Sequence, residues 1–252
     1  MVSQEKRWFL RPLRREHSHL KLFCLPYAGG TPNIFRGWAQ SAPDGVEVVG
    51  IRLPGRDRRL TEPAFTDWTA LLDATAAALE PHLDRPYAFF GHSFGARVAL
   101  ELTKHFEANG QPTPTRLIIS GCRCPHVPPP DPELHLVPRD EFFRRVRKMK
   151  GTPAEVLENQ RIMEMLEPTL RADMGLHNQE WVVSERTTAV PIVALSGARD
   201  EIDPPESMRD WGRYTSAEFS FHSFPGEHFF LHSDEAEVLA TIWEVLGQAG
   251  AG

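Results

Sequence analysis

Three side chains in the sequence have the types and the chain order that nucleophilic catalysis requires. Ser93 is the middle residue of a G-x-S-x-G pattern, Asp200 follows an apolar run that begins at Pro191, and His228 follows a Pro-Gly turn. A serine hydroxyl is a weak nucleophile until a histidine accepts its proton and a carboxylate orients that histidine. The order serine, acid, histidine therefore predicts acyl transfer, with Ser93 as nucleophile, Asp200 as orienting acid and His228 as base.

The serine lies where the sequence predicts a sharp turn. The run Tyr87–Gly91 predicts a strand and Phe94–His105 has helical spacing, so the G-x-S-x-G pattern joins a strand to a helix. The two glycines of the pattern leave room for this turn, where a side chain would clash. Because the helix begins directly after the serine, we predict that the backbone N–H of Phe94 is one donor of an oxyanion hole.

The second oxyanion donor is expected in the loop after the first long strand. Residues 25–30 are Leu-Pro-Tyr-Ala-Gly-Gly, and we assign the donor to the N–H of Ala28 and place Tyr27 at the mouth of the site. Phe229, next to the predicted base, is a further candidate for substrate contact. The two glycines belong to neither G-x-x-x-x-G-K-[ST] nor G-x-G-x-x-G, so the sequence does not indicate a nucleotide site.

Other acids and histidines compete for the same roles. Asp203 also follows the strand, but it precedes a proline and is expected to cap a helix that begins there. Glu201 is expected to be a solvated loop charge. His222 lies inside a predicted strand, and His232 lies beyond the Pro-Gly turn. His92 is expected to pack within the strand-to-helix turn at Ser93, which we call the elbow. Position in a loop at the end of a strand therefore favours the acid and the base named first.

The elements around these residues predict an α/β fold with a mainly parallel sheet flanked by helices. Short β-rich runs alternate with longer helical patterns, and the ends of parallel strands line one crevice. The predicted strands are His19–Leu25, Val46–Ile51, Tyr87–Gly91, Arg116–Ser120, Pro191–Ser196 and Phe219–Phe224. The predicted helices flanking them are Thr66–Leu79, with Thr66 as N-cap, Phe94–His105 and Asp234–Leu246.

One long segment interrupts this alternation. Between Pro125 and about Thr188 the sequence predicts no strand, only a proline-rich stretch and then three helices, Arg139–Lys150, Ala154–Leu166 and Leu170–Val183. We predict a single domain, 1–252, with a core of 1–124 and 189–252. The insertion, about 125–188, is predicted to form a helical lid over the strand ends. A helical subdomain with no role in the site is the alternative.

Composition and charge exclude several classes of protein. The 252 residues include 28 Lys and Arg and 34 Asp and Glu, which gives a net charge of −6. The protein therefore has no overall positive potential that would attract nucleic acid. Three cysteines are too few for a disulfide framework and fit a reducing compartment. No apolar stretch approaches the ~18 residues of a membrane span, so we expect no membrane partner. Charge disfavours a nucleic-acid partner, cysteine usage predicts the cytoplasm, and a monomer is the default expectation.

Two further clusters have alternative explanations. The basic tract Arg144–Lys150 would suit an acidic protein partner, although a solvated helix face is the simpler interpretation. Cys122, Cys124 and His126 are metal ligands by type, but they lack a fourth ligand at suitable spacing. We predict neither a metal nor a cofactor.

Six motifs occur in order along almost the whole chain. They are Leu25–Gly30 (L-P-Y-A-G-G), Leu53–Arg56 (L-P-G-R), Gly91–Ala96 (G-H-S-F-G-A), Pro168–Asp173 (P-T-L-R-A-D), Gly197–Asp200 (G-x-x-D) and Gly226–Phe230 (G-E-H-F-F). On these motifs the sequence resembles the discrete type II thioesterases that accompany polyketide synthases and nonribosomal peptide synthetases. It is also similar to the thioesterases that release medium-chain fatty acids from fatty acid synthase.

The resemblance implies an α/β-hydrolase fold with a mobile helical lid, and hydrolysis of acyl or aminoacyl thioesters on the phosphopantetheine arm of a carrier protein. It implies an editing role, with acyl or peptidyl carrier proteins as transient partners. The family roles fall on Ser93, Asp200 and His228. Two positions depart from the family pattern, because Phe94 stands where Met is usual and Glu227 where a second Gly is usual.

Four alternatives remain beside an editing thioesterase. The first is a medium-chain acyl-carrier thioesterase of fatty acid synthesis. A small-molecule carboxylesterase is disfavoured because Tyr27–Gly30 stands where many lipases have an HGGG-type turn. A cyclising domain cut from a megasynthase is disfavoured because the chain begins at Met1 and has no carrier sequence before the elbow. A non-catalytic binding protein is least favoured, because every residue of the triad is present.

Overall fold

The computed structural model describes residues 4–149, 159–179 and 187–248. Within these ranges seven strands form one sheet. The strands are β1 (Phe9–Leu10), β2 (Leu20–Leu25), β3 (Val46–Ile51), β4 (Tyr87–His92), β5 (Arg116–Ser120), β6 (Ile192–Gly197) and β7 (Phe219–Phe224). All six predicted strands are present within one residue of their predicted ends. The prediction missed β1, because a two-residue edge strand has no periodicity to detect.

The sheet is mainly parallel, as predicted, and its strands lie in the order β1-β3-β2-β4-β5-β6-β7. Only β1 pairs antiparallel, with Phe9 opposite Ile51 at the edge of the sheet. The other neighbours run parallel, so their carboxyl ends lie along one side. The crevice at those ends is therefore where β4, β6 and β7 can bring residues distant in sequence together.

Helices cover both faces of this sheet. In the part of the chain that the structure describes they are α1 (Gln4–Trp8), α2 (Trp38–Ser41), α3 (Trp68–Leu79), α4 (Phe94–Ala108), α5 (Arg139–Lys148), α6 (Gln160–Asn178), α7 (Pro205–Met208), α8 (Phe230–Ser233) and α9 (Glu235–Gln248). None of the described helices has the length and apolarity that crossing a membrane requires.

The predicted cap of α3 is wrong by one residue. The N-cap is Asp67, whose carboxylate accepts a hydrogen bond from the N–H of Ala70 at 2.9 Å, and not Thr66. Both residue types are good N-caps, and the cap is the one that has extended backbone and reaches the N–H of the third helical residue. Asp67 has φ −126° and ψ 134° and meets that condition.

Two apolar cores hold the sheet between its helices. On one face Phe23, Phe89 and Phe106 belong to a cluster with α3 and α4, and on the other Phe90 and Trp38 belong to a cluster with α9. Strands β2, β3 and β4 are buried at every position, which is typical of a parallel sheet covered on both sides. These strands form a rigid platform for the loops at their carboxyl ends.

The insertion builds a third, smaller apolar core. Leu134, Phe142, Phe143, Val146, Met163, Leu170 and Met174 pack together, and Ala28 of the sheet-centred part packs against them. The sequence predicted a break between two helices near Pro168, but α6 continues through this proline. The first residues of the predicted helix at Ala154 and the last residues of the predicted helix ending at Val183 lie outside the described residues.

Candidate active site

The turn at Ser93 has the geometry of a nucleophile elbow. Ser93 follows β4 directly, precedes α4 directly and has φ 53° and ψ −118°, a conformation that residues other than glycine rarely adopt. Its N–H donates to the carbonyl oxygen of Ser120 at 2.8 Å, and its side chain is half-buried. Strained backbone of this kind, held by a strand on one side and a helix on the other, is typical of functional sites.

The two glycines of the pattern are required by close approach of the backbone. A Cβ at Gly91 would overlap the carbonyl oxygen of Gly95, and a Cβ at Gly95 would lie 2.6 Å from the carbonyl oxygen of Pro26. Real Cβ atoms essentially never come so close to another heavy atom. The elbow therefore packs directly against the end of β2, and side chains would clash at both glycines, as the sequence predicted.

The structure brings Asp200 and His228 into direct contact. Nδ1 of His228 lies 2.7 Å from Oδ2 of Asp200, and both side chains are almost fully buried. The other carboxylate oxygen accepts the N–H groups of Ile202 and Asp203 at 2.8 and 2.9 Å. The acid is therefore fixed in orientation, and pairing with it fixes the histidine tautomer that leaves Nε2 available as an acceptor.

The rival acids have other surroundings. Asp203 is fully buried and pairs with Arg123, whose Nε lies 2.7 Å from its Oδ1. Burial raises the pKa of Asp203, and the guanidinium of Arg123 opposes that shift. The sequence predicted that Asp203 caps α7, and this is wrong. The N-cap of α7 is Pro204, and no side chain makes a capping hydrogen bond there. Glu201 is exposed, as expected for a loop charge.

The rival histidines also have other surroundings. His92 is fully buried, and its Nδ1 lies 2.9 Å from the hydroxyl of Ser120. Burial, followed by the neighbouring His228, lowers the pKa of His92 well below its usual value, so the ring is neutral. Its ring centroid is 5.1 Å from that of His228, which agrees with the predicted packing role. His222 lies within β7, as predicted.

Two backbone N–H groups are candidates for the donors of an oxyanion hole. The N–H of Phe94 belongs to the first residue of α4, where a helix has no internal acceptor for it. Ala28 lies in a tight turn closed by a 2.8 Å hydrogen bond from Gly30 N–H to the carbonyl oxygen of Tyr27. The contact of Gly95 with the loop after β2 brings the two segments together. The assignment of these donors stays a prediction.

A cavity of about 740 Å³ opens beside His228. Tyr27, Phe229 and His232 line it from the sheet-centred part, and Lys148 and Met149 line it from the insertion. The rings of Tyr27 and Phe229 contact edge to face with centroids 4.9 Å apart. Both residues that the sequence suggested for substrate contact therefore line the cavity beside His228.

The two departures from the family pattern lie in different environments. Phe94 has its side chain fully buried, with ring centroids 6.2 Å from Trp68 and 6.4 Å from His177, so the ring packs away from the cavity mouth. Glu227 is exposed and lines the cavity. Phe94 therefore contacts α3 and α6 away from the cavity, whereas the side chain of Glu227 lies at the cavity beside His228.

Two arginines of the basic tract pair with neighbouring acids. Arg144 and Arg145 both pair with Glu141, and Arg145 also reaches Asp131 at 2.7 Å. Lys148 differs, because it lies at the cavity mouth. This pairing favours the interpretation of the tract as a solvated helix face.

The cysteines of the chain are buried free thiols. Burial raises the pKa of Cys24 and Cys122 well above the usual value, and it raises the pKa of Cys124 to about 12. Among the residues that the structure describes, no group of three or more His, Cys, Asp or Glu side chains is arranged to hold a metal ion.

Arg56 and Asp173 are two site residues to which the sequence gave no role. They form a bidentate ion pair with both oxygen–nitrogen distances at 2.8 Å, and both side chains are at least 97% buried. Asp173 Oδ2 also accepts the N–H of Gly29 at 2.8 Å. The motifs L-P-G-R and P-T-L-R-A-D contain these residues and were the available signal, but no spacing rule connects positions 117 residues apart.

Comparison with known proteins agrees with this geometry. The thioesterase domain family matches residues 20–245. Gramicidin S biosynthesis protein GrsT of Aneurinibacillus migulanus is 33% identical over 94% of this chain and 93% of its own length. The solved structure of the RedJ thioesterase from the prodiginine pathway of Streptomyces coelicolor is 34% identical, covers 92% of this chain and 87% of its own, and superimposes with a TM-score of 0.84.

A third relative has a different name. Linear gramicidin dehydrogenase LgrE of Brevibacillus parabrevis is 38% identical over 95% of this chain and 92% of its own length. The present sequence contains no G-x-G-x-x-G pattern, whereas it contains the serine elbow and the paired acid and histidine. The fold is that of the α/β-hydrolases. With its family match over most of its length, this chain belongs to the thioesterase domain family and is a thioester hydrolase.

Proposed function

We propose that this thioesterase removes acyl or aminoacyl groups from the phosphopantetheine arm of carrier proteins in a polyketide or nonribosomal peptide pathway, as an editing enzyme. The observation that carries the proposal is the 2.7 Å contact between His228 Nδ1 and Asp200 Oδ2. The ring of His92, the residue before the strained Ser93, lies 5.1 Å from that of His228. Relatives of similar length in gramicidin S and prodiginine biosynthesis support the class of pathway.

The first half of the reaction acylates the serine. Ser93 Oγ attacks the thioester carbonyl while His228 Nε2 accepts the hydroxyl proton, and Asp200 stabilises the imidazolium that forms. The carbonyl oxygen becomes an oxyanion that accepts hydrogen bonds from the N–H groups of Phe94 and Ala28. Collapse of this intermediate breaks the carbon–sulfur bond, and the pantetheine sulfur leaves as a thiol with the proton from His228.

The second half releases the acid. A water molecule gives a proton to His228 and attacks the acyl carbonyl, and the same N–H groups stabilise the second oxyanion. Collapse returns the proton to Ser93 Oγ and frees the carboxylic acid. The chain thus supplies the nucleophile, base and oxyanion donors itself, and the proposed reaction needs no metal or cofactor beyond the pantetheine carried by the substrate.

The described part of the insertion supports its proposed role as a lid over about 125–188. Lys148 and Met149 line the same cavity as Tyr27, and the apolar core of the insertion packs against Ala28. A lid at this position would exclude water while the acyl chain is bound. We propose that the carrier protein docks transiently at this mouth, that the enzyme acts as a monomer and that it works in the cytoplasm.

A substrate panel tests the function. We expect kcat/KM to be highest for acyl-carrier substrates, lower for acyl-CoA and lowest for p-nitrophenyl esters, and we expect S93A to lose about 10⁶-fold in kcat. S41A, on the short helix α2, is the matched control and should retain full activity.

Three results would change the assignment. A preference for p-nitrophenyl esters would indicate a carboxylesterase. A preference for medium-chain groups on a fatty acid carrier would indicate a fatty acid thioesterase. Full turnover by S93A would contradict the proposed triad.

A further inference from the structure

The buried ion pair between Arg56 and Asp173 lies directly behind the turn that carries Ala28. Asp173 is on α6 of the insertion, Arg56 follows β3, and Asp173 Oδ2 is shared between Arg56 Nη1 and the N–H of Gly29. Arg56 Nη1 also reaches the carbonyl oxygen of Gly30 at 3.4 Å. The ion pair therefore contacts both glycines of the turn, one through the carboxylate and one through the guanidinium.

We propose that Arg56 and Asp173 are positioning residues for thioester hydrolysis, which hold the turn at residues 27–30 so that the N–H of Ala28 points at the developing oxyanion. This inference rests on the proposed function, because it gives the pair a task in the same reaction. It assigns a role to two motifs, L-P-G-R and P-T-L-R-A-D, that the triad leaves unexplained.

The hydrogen bonds of the turn explain how the pair acts on Ala28. The carbonyl oxygen of Tyr27 accepts the N–H of Gly30, and in a trans peptide the N–H of Ala28 then points in the opposite direction. Gly29 has φ +69°, as the third residue of a type II turn requires. With the N–H of Gly29 held by Asp173, the peptide groups on both sides of Ala28 are fixed.

The position of α6 leaves the turn little freedom. A Cβ at Gly29 would lie 2.9 Å from Cδ1 of Leu170, and Thr169 Oγ1 donates to the carbonyl oxygen of Gly55 at 2.6 Å. Residues 169–173 of α6 therefore rest on the Gly29 turn and on the segment before Arg56. This part of the insertion is a fixed support for the site and not only a cover.

Asp and Arg fit this task better than a neutral pair of the same size. One carboxylate oxygen can accept two donors at once, and a guanidinium fork fixes the plane of the carboxylate. A buried ion pair contributes little net stability compared with well-packed apolar residues. Retaining a buried charge here therefore has a better explanation in geometry than in folding.

The double variant R56M/D173L separates the two explanations. It removes both charges and the carboxylate that accepts the Gly29 N–H, and it puts apolar side chains in their place. The protein should therefore fold with a thermal midpoint close to that of the wild type. We expect kcat to fall about 10²-fold and KM to stay within about threefold, as for a displaced oxyanion donor. K21M/D84L is the matched control, because it removes an ion pair at the amino ends of β2 and β4, on the other side of the sheet from the turn. Its kcat should stay near the wild-type value.

Inhibitor binding provides a readout that a purely structural role would not change. A trifluoromethyl ketone analogue of an acyl-pantetheine forms an oxyanion on Ser93, whereas the matching methyl ketone measures ground-state binding. We expect R56M/D173L to bind the trifluoromethyl ketone more weakly, by the same factor by which kcat falls. Its affinity for the methyl ketone should not change. R56K retains the hydrogen bond from the Gly29 N–H to Asp173 but loses the two parallel guanidinium bonds to the carboxylate. It should show a smaller loss in kcat.

The outcomes distinguish this inference from the proposed function. If the wild type hydrolyses acyl-carrier thioesters and R56M/D173L matches K21M/D84L in kcat, the positioning role is wrong and the function stands. If the wild type hydrolyses none of them, the function itself fails. If R56M/D173L does not fold, the kcat of R56K is compared with that of K21M/D84L in the same way. Failure of both variants to fold would assign the pair to folding alone and overturn the inference.

Discussion

The two proposed oxyanion donors are held in place in opposite ways. The N–H of Phe94 depends on a contiguous segment, in which a strand, a strained serine and a helix follow one another within a few residues. The N–H of Ala28 depends on Asp173, which is 144 residues from the Gly29 that it contacts, and on Arg56. One donor is positioned by local backbone geometry, and the other by a side-chain bridge from the insertion.

This difference implies different failures under mutation. The elbow is built from backbone contacts that leave no space, so a change there disturbs the whole junction of β2, β4 and α4. The turn at Ala28 is held by the side chains of Arg56 and Asp173, so its geometry can be lost without loss of the fold. Variants of the elbow should therefore affect stability and activity together, whereas variants of the turn should affect activity alone.

The largest effect is expected for G95A. A Cβ at this position would meet the carbonyl oxygens of Leu25 and Pro26, and backbone cannot move aside as a flexible side chain can. We expect a loss of about 3 kcal/mol or more in the free energy of unfolding, with no measurable thioesterase activity. Urea unfolding followed by circular dichroism measures the loss.

The matched control for G95A is G247A. A Cβ at Gly247 meets nothing within 4 Å, and alanine is a better helix former than glycine within α9. We expect its stability to equal or exceed that of the wild type. A G95A protein as stable as G247A would contradict the tight packing of the elbow.

An intermediate effect is expected for A28P, which removes only the N–H of Ala28. Proline is favoured at the second position of a type II turn, so the turn should keep its shape. We expect kcat to fall about 10²- to 10³-fold with little change in KM or in the thermal midpoint. A28G retains the N–H and should lose far less activity, and equal kcat values for the two variants would show that Ala28 is not an oxyanion donor.

The smallest effect is expected for the stability of the protein at acid pH, through a histidine between α6 and the elbow. His177 of α6 is buried against Phe94, and burial lowers its pKa well below the usual value, with Arg123, Arg97 and His228 acting in the same direction. Below about pH 6.5 the unfolded chain therefore binds a proton that the folded chain does not. The contribution of the neutral ring is complete above that pH and is lost as pH falls.

Urea unfolding between pH 5 and pH 8 tests this prediction. We expect the wild type to lose stability below pH 6.5 more steeply than H177N, by up to about 1.4 kcal/mol per pH unit. Because His92 is also buried and neutral, part of the slope should remain in H177N. H17N, at an exposed histidine, should follow the wild type. Parallel curves for H177N and the wild type would contradict the assignment to His177.

The parts of the fold and site that depend on contiguous residues were predictable from the sequence. The six long strands are apolar runs bounded by turn residues, and G-x-S-x-G indicates a sharp turn by itself. The pairing of Asp200 with His228 followed from one further rule, that the carboxyl ends of parallel strands share a crevice. Chain order and strand ends were therefore sufficient to bring acid and base together.

The parts that were missed depend on tertiary contacts. Proline usually breaks a helix, so the local sequence predicts an end near Pro168. In the structure α6 continues past this proline, and residues on both sides of it are packed against the rest of the molecule. Asp203 precedes a proline like a helix cap, but the structure pairs it with Arg123. The link between Arg56 and Asp173 has no local signal, because a guanidinium and a carboxylate 117 residues apart can pair only once α6 has docked.

The burial of the three cysteines has a practical consequence for following the reaction. Thiolates are the species that react with disulfide reagents, and the raised pKa values of these thiols, together with their burial, keep the native enzyme unreactive. Each proposed turnover of a pantetheine thioester releases one accessible thiol. A chromogenic disulfide can therefore record hydrolysis continuously at high enzyme concentration, and delayed colour from the protein itself would report local unfolding around β2 and the loop after β5.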